Sequence, residues 1–473
     1  MNLNLRKASR IVFGLWIVAM LVVWVIFHNE QQCVDAQRFV RNAFNNWDNG
    51  TLYPSRIDLY ADYITAIGYT NYIQLVHLCL GKIGWIQFIN IAMNIAIACE
   101  RYYVARSFFG STTASVALIL FCLTTTNLFP PLQLVTEIPY LFLALSSFTV
   151  CVYVAKGPSG RKMHPAKSCA LLVLSGVIFA IAHTVRAVEL AFVVPALVLL
   201  AWSVFLSDGT TATRQRLVAK ATARVASVLL PYVIVLVGIG FFYKAQTGIY
   251  LNGPMTGWHN FIKVADTDNP VSTGDSPVYE PGGYAYIPSW DKYTFAERDS
   301  MYKEMGLRWL RSHPSQFLWA YVRRCVKLWG ADYYYLPGLT SSISYQYAIH
   351  QPGAEKALLK MRLKEVCYSA VWYFILLLFI VGLIRTLRMA INTRHSAPQP
   401  AGASPFQQWN FVEGTVLLFV MFLGTAGTCL FPIEIRFHYP YNWALTILGA
   451  QSLVGILTRK GIIRDNGRVE IRR

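Results

Sequence analysis

The run "IVFGLWIVAMLVVWVIFHNEQQCVDAQRFVRNAFNNW", Ile11 to Trp47, joins two kinds of chain. Its first part, Ile11 to Phe27, is apolar and uncharged and comes close to the roughly 20 residues that a helix needs to cross a bilayer. No small-residue cleavage site follows, so the run reads as a retained anchor and not as a signal peptide. The second part carries the acid Asp35 and then an amphipathic pattern. Ala36, Phe39, Val40, Ala43, Phe44 and Trp47 share one helical face, with Arg38, Arg41, Asn42 and Asn45 opposite. A helix of that kind lies in the membrane interface. What Asp35 can do there depends on which side of the membrane it faces.

Composition supports the same class. Of 473 residues, 55% are hydrophobic and 14% charged, against about 25% charged in soluble domains. Further apolar runs are "WIQFINIAMNIAIA" from Trp85, "STTASVALILFCLTTTNLF" from Ser111 and "IPYLFLALSSFTVCVYVA" from Ile138. Others begin near Ser168, Ala191, Val225, Tyr368, Phe411 and Tyr441, which makes about ten spans. The expected fold is an all-α polytopic membrane protein with about ten transmembrane helices, external interfacial helices and one long external loop. Residues 1–243 form a membrane domain with the first external loop, 244–365 the external loop region, and 366–473 the C-terminal membrane helices.

The basic residues give an orientation. Arg6, Lys7 and Arg10 precede the first span, and the positive-inside rule places them in the cytoplasm. Alternation then puts Arg101 and Arg106, Lys156 to Lys167, Arg214 to Arg224, Arg385 to Arg394 and Arg459 to Arg473 on that same side. Both termini are expected to be cytoplasmic. The net charge of +18 therefore reads as a topology signal and a contact with anionic lipid, and no nucleic-acid footprint is required. On the opposite face lie 28–82, the turns 129–137 and 183–189, the long loop 244–365 and "FPIEIRFHYPY". A second interfacial helix, "YTNYIQLVHLCLGKIG", leads into the next span. Within the long loop, a helix from about Thr294 to the break at Pro314 precedes a second, "SQFLWAYVRRCVKLW". Its Phe317, Leu318, Tyr321, Val322, Cys325 and Trp329 should face lipid or core, and Arg323, Arg324 and Lys327 water or phosphate.

An acid just after the first span, two interfacial helices, "LQLVTEIPYLFL" opening the fourth span and "PIEIRFHYPY" before the last together resemble the glycosyltransferase-C superfamily. The likeness is closest to its protein O-mannosyltransferase and lipid A aminoarabinose transferase branch. "NGPMTGWHNFIKVADTDNP" and "AERDSMYKEMGLRWLRSHPSQFLWAYVRRCVKLW" resemble external-loop segments of bacterial members. The resemblance implies a polyprenyl-phosphate-linked sugar donor, no nucleotide sugar, and transfer on the external leaflet of a bacterial inner membrane to a lipid, glycan or protein acceptor. The family's first motif is commonly Asp-Glu. Here Val34 and Asp35 hold those places, so a single acid must serve.

Displacing a polyprenyl phosphate from an anomeric carbon requires a base for the incoming nucleophile and cations for the leaving phosphate. Asp35 is the candidate base. Arg186 in "AHTVRAVEL" and Arg436 in "EIRFHYPY" are candidate phosphate forks, because guanidinium geometry suits phosphate. Glu137, at the start of an apolar helix, is drawn toward a cavity, and His438 adds to the polar turn around Arg436. His183 is placed to line the same cavity. Each has a plainer reading: Asp35 as a solvated loop acid, the arginines as interfacial anchors, Glu137 as an acid favoured by the helix dipole. A divalent cation stays open, since branches of the family differ and the sequence shows no ligand cluster.

Other signals carry less. "DTD" at Asp266 to Asp268 would lie on the external side, away from nucleotide sugars, and reads as loop. The sequon Asn49-Gly50-Thr51 matters only in a host that glycosylates by that rule. Cys33 and Cys325 would share one aqueous side and could pair, although free buried thiols suit the scattered cysteines better. Two rival functions are a transporter or flippase of lipid-linked sugars, which would show an internal repeat, and a structural membrane protein, which would tolerate loss of Asp35, Glu137 and Arg436.

Overall fold

The computed structural model describes residues 2–29, 34–47, 66–157, 163–208, 213–253, 257–265, 276–332, 355–395, 405–463 and 468–470. Cys33, the sequon at 49–51 and the acids Asp266 and Asp268 lie outside them, as does the side chain of Trp47. The described chain is almost wholly helical. A short strand β1 (Asn2–Asn4) leads into α1 (Leu5–Phe27), followed by α2 (Val34–Trp47), α3 (Ile67–Leu80), α4 (Gly84–Leu123) and α5 (Glu137–Lys156). Next come α6 (Pro165–Val185), α7 (Leu190–Asp208) and α8 (Arg214–Thr247). The loop region holds α9 (Gly257–Ile262), α10 (Ser276–Tyr279), α11 (Phe295–Ser312) and α12 (Pro314–Trp329). The chain continues through α13 (Glu355–Tyr368), α14 (Ala370–His395), α15 (Pro405–Thr428) and α16 (Asn442–Arg459) to β2 (Arg468–Glu470).

Five of these helices, α1, α4, α5, α6 and α8, are long and apolar enough to cross a membrane. Shorter apolar segments occupy 190–206, 370–384 and 412–428. The protein is an all-α polytopic integral membrane protein. Helices α1 and α8 expose broad apolar flanks, including Ile11, Leu15, Val25, Leu230, Ile234 and Phe241, as lipid-facing surfaces do. Helix α5 is the most enclosed. Its Tyr140 and Phe148 pack edge-on against Phe192 of α7, which stacks on Trp443 of α16 at 5.9 Å. All four rings are fully buried and bind three helices just beneath the start of α5.

Two of the expected spans share one element. Helix α4 is 40 residues long, and Gly110 interrupts it with φ 85° and ψ 173°. A straight helix would hold Arg101 and Phe121 about 30 Å apart, yet the Arg101 guanidinium lies 4.4 Å over the Phe121 ring. The element therefore folds back on itself, and only glycine adopts that φ readily. The reversal lies near the N-terminus, where the Arg6 guanidinium donates to Ser111 Oγ at 2.5 Å. Both chain ends also meet at this end, as β1 pairs antiparallel with β2, Leu3 opposite Val469.

Two charged residues depart from the sequence expectation. Arg101 was assigned to a cytoplasmic basic segment. It is instead buried inside the α4 hairpin, donating to Asn442 Oδ1 at 3.0 Å. Arg324 was expected to face water or phosphate, and it is fully buried. The outward stripe of α12 is apolar instead: Leu318, Trp319, Val322 and Val326 are exposed, a pattern suited to a bilayer surface. Helix α11 begins where expected. The Thr294 side chain accepts from the Glu297 amide while the Glu297 carboxylate accepts from the Thr294 amide, a capping box. Pro314 opens α12, where its missing amide hydrogen costs nothing. The loop helices enclose a small core of their own around Ile262, Val264, Ile287, Tyr302 and Trp309.

Candidate active site

Four separate parts of the sequence meet at the end of the bundle opposite the termini. Helix α2 presents Asp35 in its first turn, while α5 opens on Glu137, with Pro139 following. Arg186 closes α6 in extended conformation. The short 3-10 turn Ile435–His438 before α16 supplies Arg436 and His438. Asparagine and glutamine contacts hold these connections in place. Gln87 of α4 donates to Leu132 O at 2.9 Å and to His28 O at 3.2 Å, tying the ends of α1 and α4 to the turn before Glu137. Tyr439 donates to Asn94 Oδ1 at 3.2 Å, fixing the turn after Arg436 to the same helix.

Arg436 is the hub. Its Nη2 binds Asp35 Oδ2, its Nε lies 2.7 Å from Glu434 Oε2, and Glu137 Oε1 is 3.7 Å away. Arg186 Nη1 holds Glu137 Oε1 at 2.9 Å and reaches Thr136 Oγ1 at 3.3 Å. The Phe437 ring lies between the two guanidinium groups, 4.9 Å from that of Arg186 and 5.5 Å from that of Arg436. Three carboxylates thus surround two guanidiniums. Arg436 and Glu137 are almost fully buried, whereas the Asp35 side chain is 40% exposed and is the member most open to an incoming molecule. Burial raises the Asp35 carboxyl, but the Arg436 charge and hydrogen bond outweigh it, and its pKa lies below the ordinary carboxylate value.

His438 points to a different partner. It stacks on Trp372 at 4.8 Å and sits beside Trp329 at 5.8 Å. Its Nε2 faces Asp332 Oδ1 at 3.4 Å. Asp332 is a residue the sequence reading missed. Its signal, an acid set among aromatics in "LWGADYYYLP", is weak in a single sequence. Glu434 stands in the quoted "EIRFHYPY" only as a residue flanking Arg436. His183 does not join the cluster. It pairs with Glu189 at 2.7 Å, and Tyr232 of α8 donates to the same Glu189 oxygen at 2.7 Å.

Among the described residues no group of three His, Cys, Asp or Glu side chains is placed to hold a metal ion. Each carboxylate of the cluster faces a guanidinium, so the arrangement does not fit a divalent cation. Near the same end a cavity of roughly 500 Å3 is lined by Trp24, His28, Leu80, Trp85, Gln87 and Leu134. Fold and site together define a polytopic membrane protein with a charged, partly open cluster at one end of its helices.

Several solved structures are similar to this chain. The Archaeoglobus fulgidus oligosaccharyltransferase in complex with zinc and sulfate matches at 12% identity and a TM-score of 0.47, over 95% of this chain and 49% of that one. The oligosaccharyltransferase AglB of the same organism, in complex with an inhibitory peptide and a dolichol-phosphate, matches at 13% identity and 0.49, over 96% and 51%. The form tethered to an acceptor peptide containing the NVT sequon matches at 11% and 0.48, over 95% and 50%. This chain spans about half the length of those structures. No protein-family model and no curated protein matches the sequence. The chemistry of the site follows from its own residues.

Proposed function

We propose that this protein is a membrane glycosyltransferase of the glycosyltransferase-C type, moving a sugar from a polyprenyl-phosphate donor to a hydroxyl or amine acceptor at the external membrane face. The observation that carries this reading is the convergence of Asp35, Glu137, Arg186 and Arg436 at the membrane edge. A half-exposed carboxylate beside one buried and one part-buried guanidinium supplies what phosphate displacement needs.

In the proposed reaction the acceptor attacks the anomeric carbon as the bond from that carbon to the phosphate oxygen breaks. Asp35 takes the acceptor's proton. Arg186 and Arg436 receive the charge that develops on the departing polyprenyl phosphate, and Glu137 holds both guanidiniums in register. Asp35 suits a base only once Arg436 turns from it to phosphate, because the ion pair lowers its proton affinity. His438, fixed between Trp372 and Asp332, shapes the turn that carries Arg436. The acceptor is a lipid, a glycan or a protein, with the loop helices α11 and α12 forming its wall.

The test is transfer from purified polyprenyl-phosphate sugars to a panel of lipid, glycan and peptide acceptors, with the protein in nanodiscs. Product formation that depends on the lipid-linked donor supports the reading. Donor that is neither bound nor consumed across the panel overturns it. Movement of intact donor between leaflets without transfer would make the protein a flippase.

A further inference from the structure

Helix α12 meets the end of α15 through one stripe of its surface. Tyr321, Cys325 and Trp329 follow one another at one-turn spacing and so share a face. The Tyr321 hydroxyl donates to Ala426 O at 3.4 Å, and Trp329 Nε1 donates to Thr425 Oγ1 at 3.0 Å. These two contacts bracket Cys325 and fix its register against the far helix end. There Cys429, the residue after α15, is held by its amide on Thr425 O at 2.9 Å. Cys325 stands close enough to Cys429 to act on its thiol, and both belong to one apolar cluster with Leu328 and Ile433. Both are reduced in this structure.

We propose that Cys325 and Cys429 are a disulfide-forming pair, a redox staple that locks the loop helix α12 onto the membrane helix α15. This inference does not rest on the proposed transfer reaction. The two thiols are unequal in a way that orders the chemistry. Cys325 is half-buried and reachable, whereas Cys429 is fully buried behind it. Burial pushes the Cys429 thiol up and the Arg324 charge opposes that shift only in part, so the more accessible Cys325 is the thiol that meets an oxidant first. With a disulfide oxidant such as oxidised glutathione, the Cys325 thiolate attacks one oxidant sulfur, forming a mixed disulfide and releasing one glutathione thiol. The Cys429 thiolate then attacks Cys325 Sγ and expels the second. Two protein thiols are oxidised, one glutathione disulfide is reduced to two thiols, and two protons pass to those products.

The staple would close just before Glu434 to His438. Ile433, in the same apolar cluster, directly precedes that segment, and Trp329 at the end of α12 contacts His438. Fixing α12 therefore fixes one wall of the charged cluster. The pairing also replaces the one considered from sequence, Cys33 with Cys325, by a partner at the end of a membrane helix.

The experiment is non-reducing peptide mapping of the full chain in native membranes. Samples are incubated with oxidised glutathione or with dithiothreitol, blocked with N-ethylmaleimide and denatured. The expected result after oxidation is a linked peptide pair carrying Cys325 and Cys429, absent after dithiothreitol. Cys429→Ser should abolish the linked pair and leave Cys325 as a glutathione mixed disulfide after oxidation, and Cys33→Ser should leave the link unchanged. Full alkylation of both thiols after oxidised glutathione overturns the proposal, as does a Cys33 to Cys325 link. The wild-type map decides alone if a serine variant fails to accumulate.

Discussion

Helix α5 carries a carboxylate and cation contact at each end, and the two differ in kind. At its last residue, Lys156 meets Glu413 of α15. Glu413 is fully buried, and the contact joins two helix ends. At its first residue, about 30 Å away along the axis, Glu137 belongs to a group of three acids and two guanidiniums drawn from four elements. One of those acids is substantially exposed. A contact that only joins helices needs neither a surplus of acid nor an open member. Polar groups beyond what packing requires, placed where a molecule can reach them, are what the proposed function needs at that end.

The largest expected effect tests that contrast directly. Asp35→Asn should lower transfer by roughly 10²- to 10⁴-fold, the range of general-base groups. Glu413→Gln should leave turnover per folded molecule unchanged while lowering stability by about 3 kcal/mol, since Lys156 loses its buried partner. Turnover in nanodiscs and a thermal melt would separate the two. Equal turnover in Asp35→Asn and wild type would erase the difference between the two ends.

Next in size is Arg436→Lys. It keeps the charge but loses the fork that spans Asp35 and Glu434, so donor affinity should fall by about 10-fold or more. Equilibrium binding of a polyprenyl phosphate reads this, with unchanged affinity reducing Arg436 to an anchor. A smaller effect sharpens the packing side. A Cβ on Gly176 of α6 would stand 2.2 Å from Val228 O and 2.8 Å from Pro231 Cγ. Gly176→Ala should therefore cost about 1–3 kcal/mol by forcing α6 from α8, with no change in the pH profile of transfer.

The smallest concerns the loop. His259 accepts or donates a hydrogen bond with Tyr279 at 3.2 Å. Burial, and then the charges of Lys263, Arg298 and Arg38, hold its pKa at about 3, below the ordinary 6.5. The unfolded loop therefore binds more protons than the folded one between those values. Loop stability is full above pH 6.5 and declines as pH falls toward 3. Protection factors of α11 amides, corrected for the intrinsic exchange rate, should fall on acidification across that window, and His259→Gln should flatten the dependence.

Much of the helical layout was legible because its signals are local. The capping pair Thr294 and Glu297 and the break at Pro314 announce α11 and α12 within a few residues. The acids and arginines of the cluster could be singled out for similar reasons, as charge at the ends of apolar runs. Their pairing could not. Arg436 and Asp35 are 401 residues apart, and no periodicity reports such a contact. Arg101 was misplaced for the same reason, since what draws it inward is Asn442, 341 residues on. Asp332 gave only a weak local sign, because its partner, His438, belongs to another part of the chain.

The distance between Asp35 and Arg436 also bears on how the protein is made. At roughly 5–20 residues per second, a ribosome delivers Arg436 some 20 to 80 s after Asp35, given the 401 residues between them. Through that interval Asp35 and Glu137 stand at the membrane without the cation that joins them. Arg186 already holds Glu137 by then, so a nascent or truncated product leaves Asp35 as the acid without its Arg436 partner, until the last turn arrives.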